Sequence, residues 1–220
     1  MKKLLILFLS AALTSVHAFS PPAEDEPKRS LWDTGGYLGF DFGYGDIKSE
    51  PSFADPDKRW NGTGGGLRIA PGYKLPFLRI GVEAGVASGS QEFQSEVEAL
   101  KRDKYGFTSF HLMPQIFLEL DWPGYIVPYV GYAAGVNVLR TRQNVHVVTS
   151  VWPPRTEEEY KSDSSTGQTA AVLLGLRGAL NPFVYYNLFW RKQDYGRVKM
   201  SPDHNRIIGR EVNTGLVILF

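Results

Sequence analysis

The sequence predicts an all-β fold, a closed antiparallel up-and-down transmembrane β-barrel of about eight strands. Three observations predict it. Bulky apolar residues alternate with small or charged ones in segment after segment. The segments are roughly ten residues long, the length that a tilted strand needs to cross a hydrocarbon layer. The connections between them alternate long and short along the chain.

The chain opens with the three parts of an export signal: Lys2 and Lys3, an apolar stretch from Leu4 to Leu13, and Val16-His17-Ala18 as a small-residue cleavage site. That apolar stretch is too short to span a bilayer as a helix. Residues 1–18 are therefore expected to be a signal peptide, and 19–34, with Pro21, Pro22 and Pro27 among charges, a disordered periplasmic leader. Residues 35–220 are expected to form one barrel domain.

The first strand, at 36–46, sets Leu38, Phe40, Phe42 and Tyr44 against Gly39, Asp41, Gly43 and Gly45. The second, at 65–74, sets Leu67, Ile69, Pro71 and Tyr73 against Gly66, Arg68, Ala70, Gly72 and Lys74. In the third, at 78–86, Leu78, Ile80, Val82, Ala84 and Val86 oppose Arg79, Gly81, Glu83 and Gly85. The fourth, at 107–120, turns Phe110, Leu112, Pro114, Ile116, Leu118 and Leu120 outward, with His111, Met113, Gln115, Phe117 and Glu119 inward.

The fifth strand, at 125–138, lies in a charge-free run, Trp122 to Leu139, long enough for a membrane helix. Pro123, Pro128, Gly124, Gly131 and Gly135 oppose a helix there, and large residues alternate with small ones instead. In the sixth, at 168–180, Ala170, Val172, Leu174 and Leu176 oppose Ala171, Leu173, Gly175 and Arg177. In the seventh, at 183–192, Val184, Tyr186, Leu188 and Trp190 oppose Tyr185, Asn187, Phe189 and Arg191. The eighth turns Val212, Thr214, Leu216, Ile218 and Phe220 one way and Asn213, Gly215, Val217 and Leu219 the other.

Long loops are expected at 47–64, 87–106, 139–167 and 193–205, and tight turns at 75–77, 121–124 and 181–182, the rhythm of extracellular loops and periplasmic turns. Tyr73, Phe77, Trp122, Tyr125, Phe183 and Phe220 fall beside the tight turns and are expected to form an interfacial girdle, with Tyr44, Tyr105, Phe107 and Trp190 at the opposite rim. Within the long loop at 139–167, the β-prone run 144–152 could extend its flanking strands as a protruding hairpin.

Lipid around an open sheet would leave edge N–H and C=O groups without partners, so the first strand is expected to pair with the last. Eight strands enclose a space that side chains just fill, which rules against a wide channel. The glycines leave room there for Arg68, Lys74, Arg79, Arg177 and Arg191 to pair with Asp41, Glu83 and Glu119 in a buried charge network.

Other chemistry finds little support. The 24 Lys and Arg, less Lys2 and Lys3, nearly balance 23 Asp and Glu, so no global field favours nucleic acid. With no cysteine, neither a disulfide nor a thiolate site can form. His111 lies two residues from Ser109, but no acidic residue is identifiable to orient it, and catalysis is not expected. The remaining histidines, 17, 146 and 204, are scattered, so neither a metal site nor a cofactor is expected. Asn61-Gly62-Thr63 reads as a loop turn and Glu157-Glu158-Glu159 as a solvated loop face.

Taken together, Gly64-Gly65-Gly66-Leu67-Arg68-Ile69 with Gly72-Tyr73, the run Arg79 to Gly85, Pro128-Tyr129-Val130-Gly131 and the ending Asn213 to Phe220 resemble the small outer-membrane β-barrel family of the outer-membrane protein A barrel and outer-membrane protein X. The resemblance covers residues 31–220 and implies a monomer in the Gram-negative outer membrane, surrounded by its lipid. It also implies that Leu216, Ile218 and Phe220 serve as a signal to the barrel-assembly machinery. No peptidoglycan-binding domain follows Phe220, so cell-wall anchoring is not implied. The expected function is non-catalytic display of extracellular loops for adhesion, host interaction or envelope integrity, with an extracellular protein as partner. A narrow small-molecule conduit and a lipid A-modifying enzyme are the alternatives.

Overall fold

The structure, a computed structural model, describes residues 34–50, 61–94, 102–120, 126–151, 154–181, 183–200 and 203–220. The expected signal peptide and leader, and Trp122 and Tyr125, lie outside them. Eight strands follow in chain order: β1 (Gly35–Glu50), β2 (Asn61–Leu75), β3 (Leu78–Gln94), β4 (Arg102–Glu119), β5 (Ile126–Val151), β6 (Pro154–Ala179), β7 (Val184–Met200) and β8 (Asp203–Leu219). Each pairs antiparallel with its sequence neighbour, and β1 with β8, so the sheet closes into a barrel. At the seam Phe40 lies opposite Leu216, and the Phe220 N–H donates to the Gly36 carbonyl at 2.9 Å.

Alternation places the side chains as the period-2 pattern requires. Leu67, Val82, Leu112, Leu174 and Leu216 are exposed on the outside, whereas Arg68, Glu83, His111, Leu173 and Val217 are buried inside. This inverts a soluble protein: the greasy face is the outer one. A closed barrel with such a band pairs its ladder hydrogen bonds internally and presents a predominantly apolar surface to lipid, which is an outer-membrane architecture.

Short turns join strands at one end. Leu75 pairs with Leu78 across Pro76-Phe77, and Phe77 adopts φ 60°, the left-handed region that a type II turn requires of its second central residue, with Pro76 suited to the first. Between β6 and β7, Asn181 Oδ1 accepts the N–H groups of Phe183 and Val184, both at 2.8 Å.

At the other end the strands run well past the expected boundaries. In the segments read as loops at 47–64, 87–106, 139–167 and 193–205, the described residues are strand: β1 reaches Glu50, β3 reaches Gln94, and β5 and β6 are 26 residues each, paired out to Val151 opposite Pro154. Asn61-Gly62-Thr63 opens β2, and Glu157-Glu158-Glu159 lies in β6, so neither stretch is a loop. Beyond the bilayer both faces meet water, so the hydrophobic period disappears while backbone pairing continues. Polarity alone therefore does not mark where a strand stops.

Candidate functional site: the filled interior and its outer closure

At the end of the short turns, Glu119 on β4 receives two arginines. Arg177 Nη2 on β6 stands 2.6 Å from Oε2, and Arg79 Nε on β3 contacts Oε1. Lys74 is buried as well. The Arg79 guanidinium also lies 4.5 Å from the centre of the Phe117 ring, 5.2 Å from Tyr129 and 5.4 Å from Tyr37, and that of Arg177 lies 4.8 Å from Tyr185. Ring faces thus supply negative potential where carboxylates are few.

Above this layer, Tyr129 OH donates to Asn187 Oδ1 at 2.6 Å, and Asn187 Nδ2 donates to Asp41 Oδ1 at 3.2 Å. Asp41, expected to pair with a cation, makes no ion pair among the described residues; the amide of Asn187 holds it instead. Met113, Phe117, Tyr129, Ala133, Ala171, Leu173 and Phe189 fill the surrounding space.

The largest cluster lies farther out. Arg191 clamps Glu83 with two hydrogen bonds, Nη1 to Oε2 at 2.8 Å and Nη2 to Oε1 at 2.6 Å, and His111 Nε2 stands 3.0 Å from the same Oε1. Arg68 reaches across to Glu211 and Asn213, while its Nε lies 3.9 Å from Glu83. Tyr195 OH donates to Glu211. Arg191 Nε donates to Gln193 Oε1 at 2.9 Å, and Gln193 Nε2 to Thr169 Oγ1 at 3.2 Å. Two glycines make this possible: a Cβ on Gly43 would collide with Asn213, Glu211 and Arg68, and one on Gly85 with His111 and Arg68.

An apolar layer closes the barrel beyond these charges. Ile47, Ala87, Phe107, Leu139, Tyr195 and Ile207, from six different strands, pack together, with the Phe107 and Tyr195 rings 5.3 Å apart. Phe107 is therefore not an outer-rim anchor, because it shares the inward parity of Ser109 and His111 on β4. Tyr105 packs against the same layer. Tyr44 and Trp190 do face outward, as do Tyr73, Phe183 and Phe220 at the other rim.

Sequence reasoning missed Glu211, Gln193, Thr169 and Tyr195, and it missed the acidic partner of His111, which is Glu83. Parity on β8 could have found Glu211, two residues before inward Asn213, and parity on β7 Gln193, two after Arg191. The Glu83–His111 contact joins β3 to β4 across 28 positions and has no local signal. Ser109 Oγ accepts from Asn137 Nδ2 at 3.4 Å and makes no bond to His111, so the three residues form no catalytic relay. Among the described residues no cluster of His, Asp or Glu could hold a metal ion. Leu216, Ile218 and Phe220 stand outward on the lipid face of β8 and its end.

No family model and no curated protein matches the sequence. Among solved structures, the chain is similar to Neisserial surface protein A, with a TM-score of 0.55 at 17% identity over 86% of this chain and 99% of that one. The attachment invasion locus protein of Yersinia pestis, solved with the heparin analogue sucrose octasulfate, gives a TM-score of 0.47 at 15% identity, covering 84% of this chain and 99% of that one. Outer membrane protein OprG from Pseudomonas aeruginosa gives 0.44 at 13% identity, over 84% and 96% of the two chains. The chain has the fold of a small outer-membrane β-barrel.

Proposed function

We propose that the chain is a sealed, non-catalytic surface protein of the outer membrane, whose barrel anchors an extracellular β5–β6 hairpin that contacts a macromolecule in adhesion, host interaction or envelope integrity. The observation that carries this reading is the apolar closure of Ile47, Ala87, Phe107, Leu139, Tyr195 and Ile207 over a paired, buried charge cluster. An interior filled in this way leaves neither a route for solutes nor access to His111, whose side chain is wholly buried.

The hairpin supports the second half of the reading. Among the described residues β5 pairs with β4 only as far as Asn144, and β6 pairs with β7 only from Ala170 onward, so there the outer part of the hairpin has strand edges without a ladder partner. Such edges accept an extended segment of another chain. Leu216, Ile218 and Phe220, aligned on the closing strand, would be read by the barrel-assembly machinery.

Two measurements test this function. In planar bilayers the purified chain should show no stable conductance steps; regular steps would favour the small-molecule conduit. Cells displaying the full chain should bind at least one member of a panel of matrix and serum proteins. A variant lacking residues 143–160 should lose that binding at an unchanged surface level, and retained binding would remove the hairpin from the reading.

A further inference from the structure

We infer that the outward face of β7 and β8, at the extracellular edge of the apolar band, binds the phosphate group of a membrane amphiphile between Lys192 and Arg210. The inference rests on the outer-membrane placement above. These two residues lie directly opposite one another in the β7–β8 ladder, and both are exposed. Directly opposed side chains start with Cβ atoms about 4.5–5.5 Å apart, and like charges so placed destabilise a sheet. Neither residue makes a hydrogen bond or ion pair among the described residues.

Nearby acids do not remove the excess. Asp194, two residues beyond Lys192, is held by Arg206, whose Nε donates to Oδ2 at 2.8 Å. Asp46 is the register partner of Arg210 on β1, yet it forms no ion pair with it, and Lys48 adds another outward cation two residues farther along β1. Among the described side chains of this face, Lys48, Lys192 and Arg210 therefore stand against Asp46, while Asp194 is engaged by Arg206.

The step toward the short turns is apolar. Trp190 lies opposite Val212, and Val212 opposite Tyr44, all three exposed. The cation pair thus sits where the lipid-facing surface ends, at the depth of headgroups. A phosphate there would accept the planar fork of arginine and the point charge of lysine together, in surroundings of lower dielectric than bulk water. Continuity with the lipid-facing band favours a phosphate carried by a lipid over one dissolved in the medium.

The test places the purified chain in zwitterionic vesicles, alone or with a bisphosphorylated glycolipid, with the same glycolipid stripped of phosphate, or with inorganic phosphate in the buffer. The readout is the thermal unfolding midpoint. The phosphorylated glycolipid should raise the midpoint by roughly 3 °C or more over its dephosphorylated form, and inorganic phosphate should give less than half that rise. The K192Q/R210Q double variant should lose most of the rise while unfolding no earlier than the parent in plain vesicles, since its substitutions are exposed and relieve a like-charge contact. An equal response in the double variant, or from either the stripped glycolipid or free phosphate, overturns the inference alone. Failure of the unmodified chain to enter any vesicle overturns the membrane placement and the inference with it.

Discussion

Arg191 on β7 grips Glu83 on β3 with both terminal nitrogens, at 2.8 and 2.6 Å, joining strands that are not neighbours in the sheet. The pair crosses the lumen and ties opposite walls of the barrel together.

Removing one member leaves the other charged and enclosed. Arg191→Ala should therefore lower unfolding stability by about 3–5 kcal/mol. The double substitution Glu83→Ala/Arg191→Ala should cost clearly less than the sum of the single changes. Denaturant unfolding in detergent, followed by tryptophan fluorescence, measures all three, and strict additivity would contradict the pairing.

The outer closure makes a separate claim. Phe107→Ala removes most of a buried ring and should destabilise the barrel by about 3–5 kcal/mol. Combined with Tyr195→Ala, it should let water reach the charged interior and produce conductance steps that the unmodified chain lacks. A silent double variant would show that the seal lies elsewhere.

Interior glycines should be intolerant of bulk. Gly43→Val would drive a side chain into Asn213, Glu211 and Arg68, and overpacking of that kind costs about 1–3 kcal/mol, more when a charge pair is displaced. The fraction of chain migrating as the compact, heat-modifiable form on electrophoresis should fall, whereas Gly178→Val, with nothing within 4 Å of the added Cβ, should leave it unchanged.

Lipid contact is testable on the outside. Val82→Arg and Leu216→Arg should each cost about 2–4 kcal/mol if they lie near the bilayer midplane, and Thr166→Arg, exposed on β6 beyond its pairing with β7, close to nothing. Spin labels at Leu67, Val82 and Leu216 should be quenched by lipid-soluble oxygen rather than by a water-soluble nickel chelate.

How much of this was legible in the sequence depended on whether water or lipid stood outside. Within the bilayer, alternation of Phe40, Phe42 and Tyr44 against Asp41 and Gly43 is forced by the two environments, so strand order, facing and closure could be read directly. Beyond it the constraint vanishes, which is why 139–167 was expected to be a loop with only the β-prone run 144–152 able to extend its strands, although the ladder is continuous from the barrel, with Arg140 opposite Ser164 and Gln143 opposite Lys161. In the interior, parity gave the inward set including Arg68, Glu83 and Arg191. Partner choice needed the register, which put Asn187 rather than an arginine on Asp41 and Glu83 beside His111. Phe107 was misassigned by chemistry, as an aromatic near a rim, when its odd position on β4 already decided its direction.

The described ladders slip register at only two places, Val148/Ser150 between β5 and β6 and Asp194/Gly196 between β7 and β8. Both lie toward the extracellular end, and at the second Gly196 takes φ +88° while its N–H bonds Asp194 Oδ1 at 2.9 Å. Anywhere lower, inserting or deleting one residue would swap which half of a strand meets oil and which meets salt bridges. Descendants of this sequence can therefore change length inside the bilayer only in steps of two, while the portion outside the cell is free to drift by odd numbers.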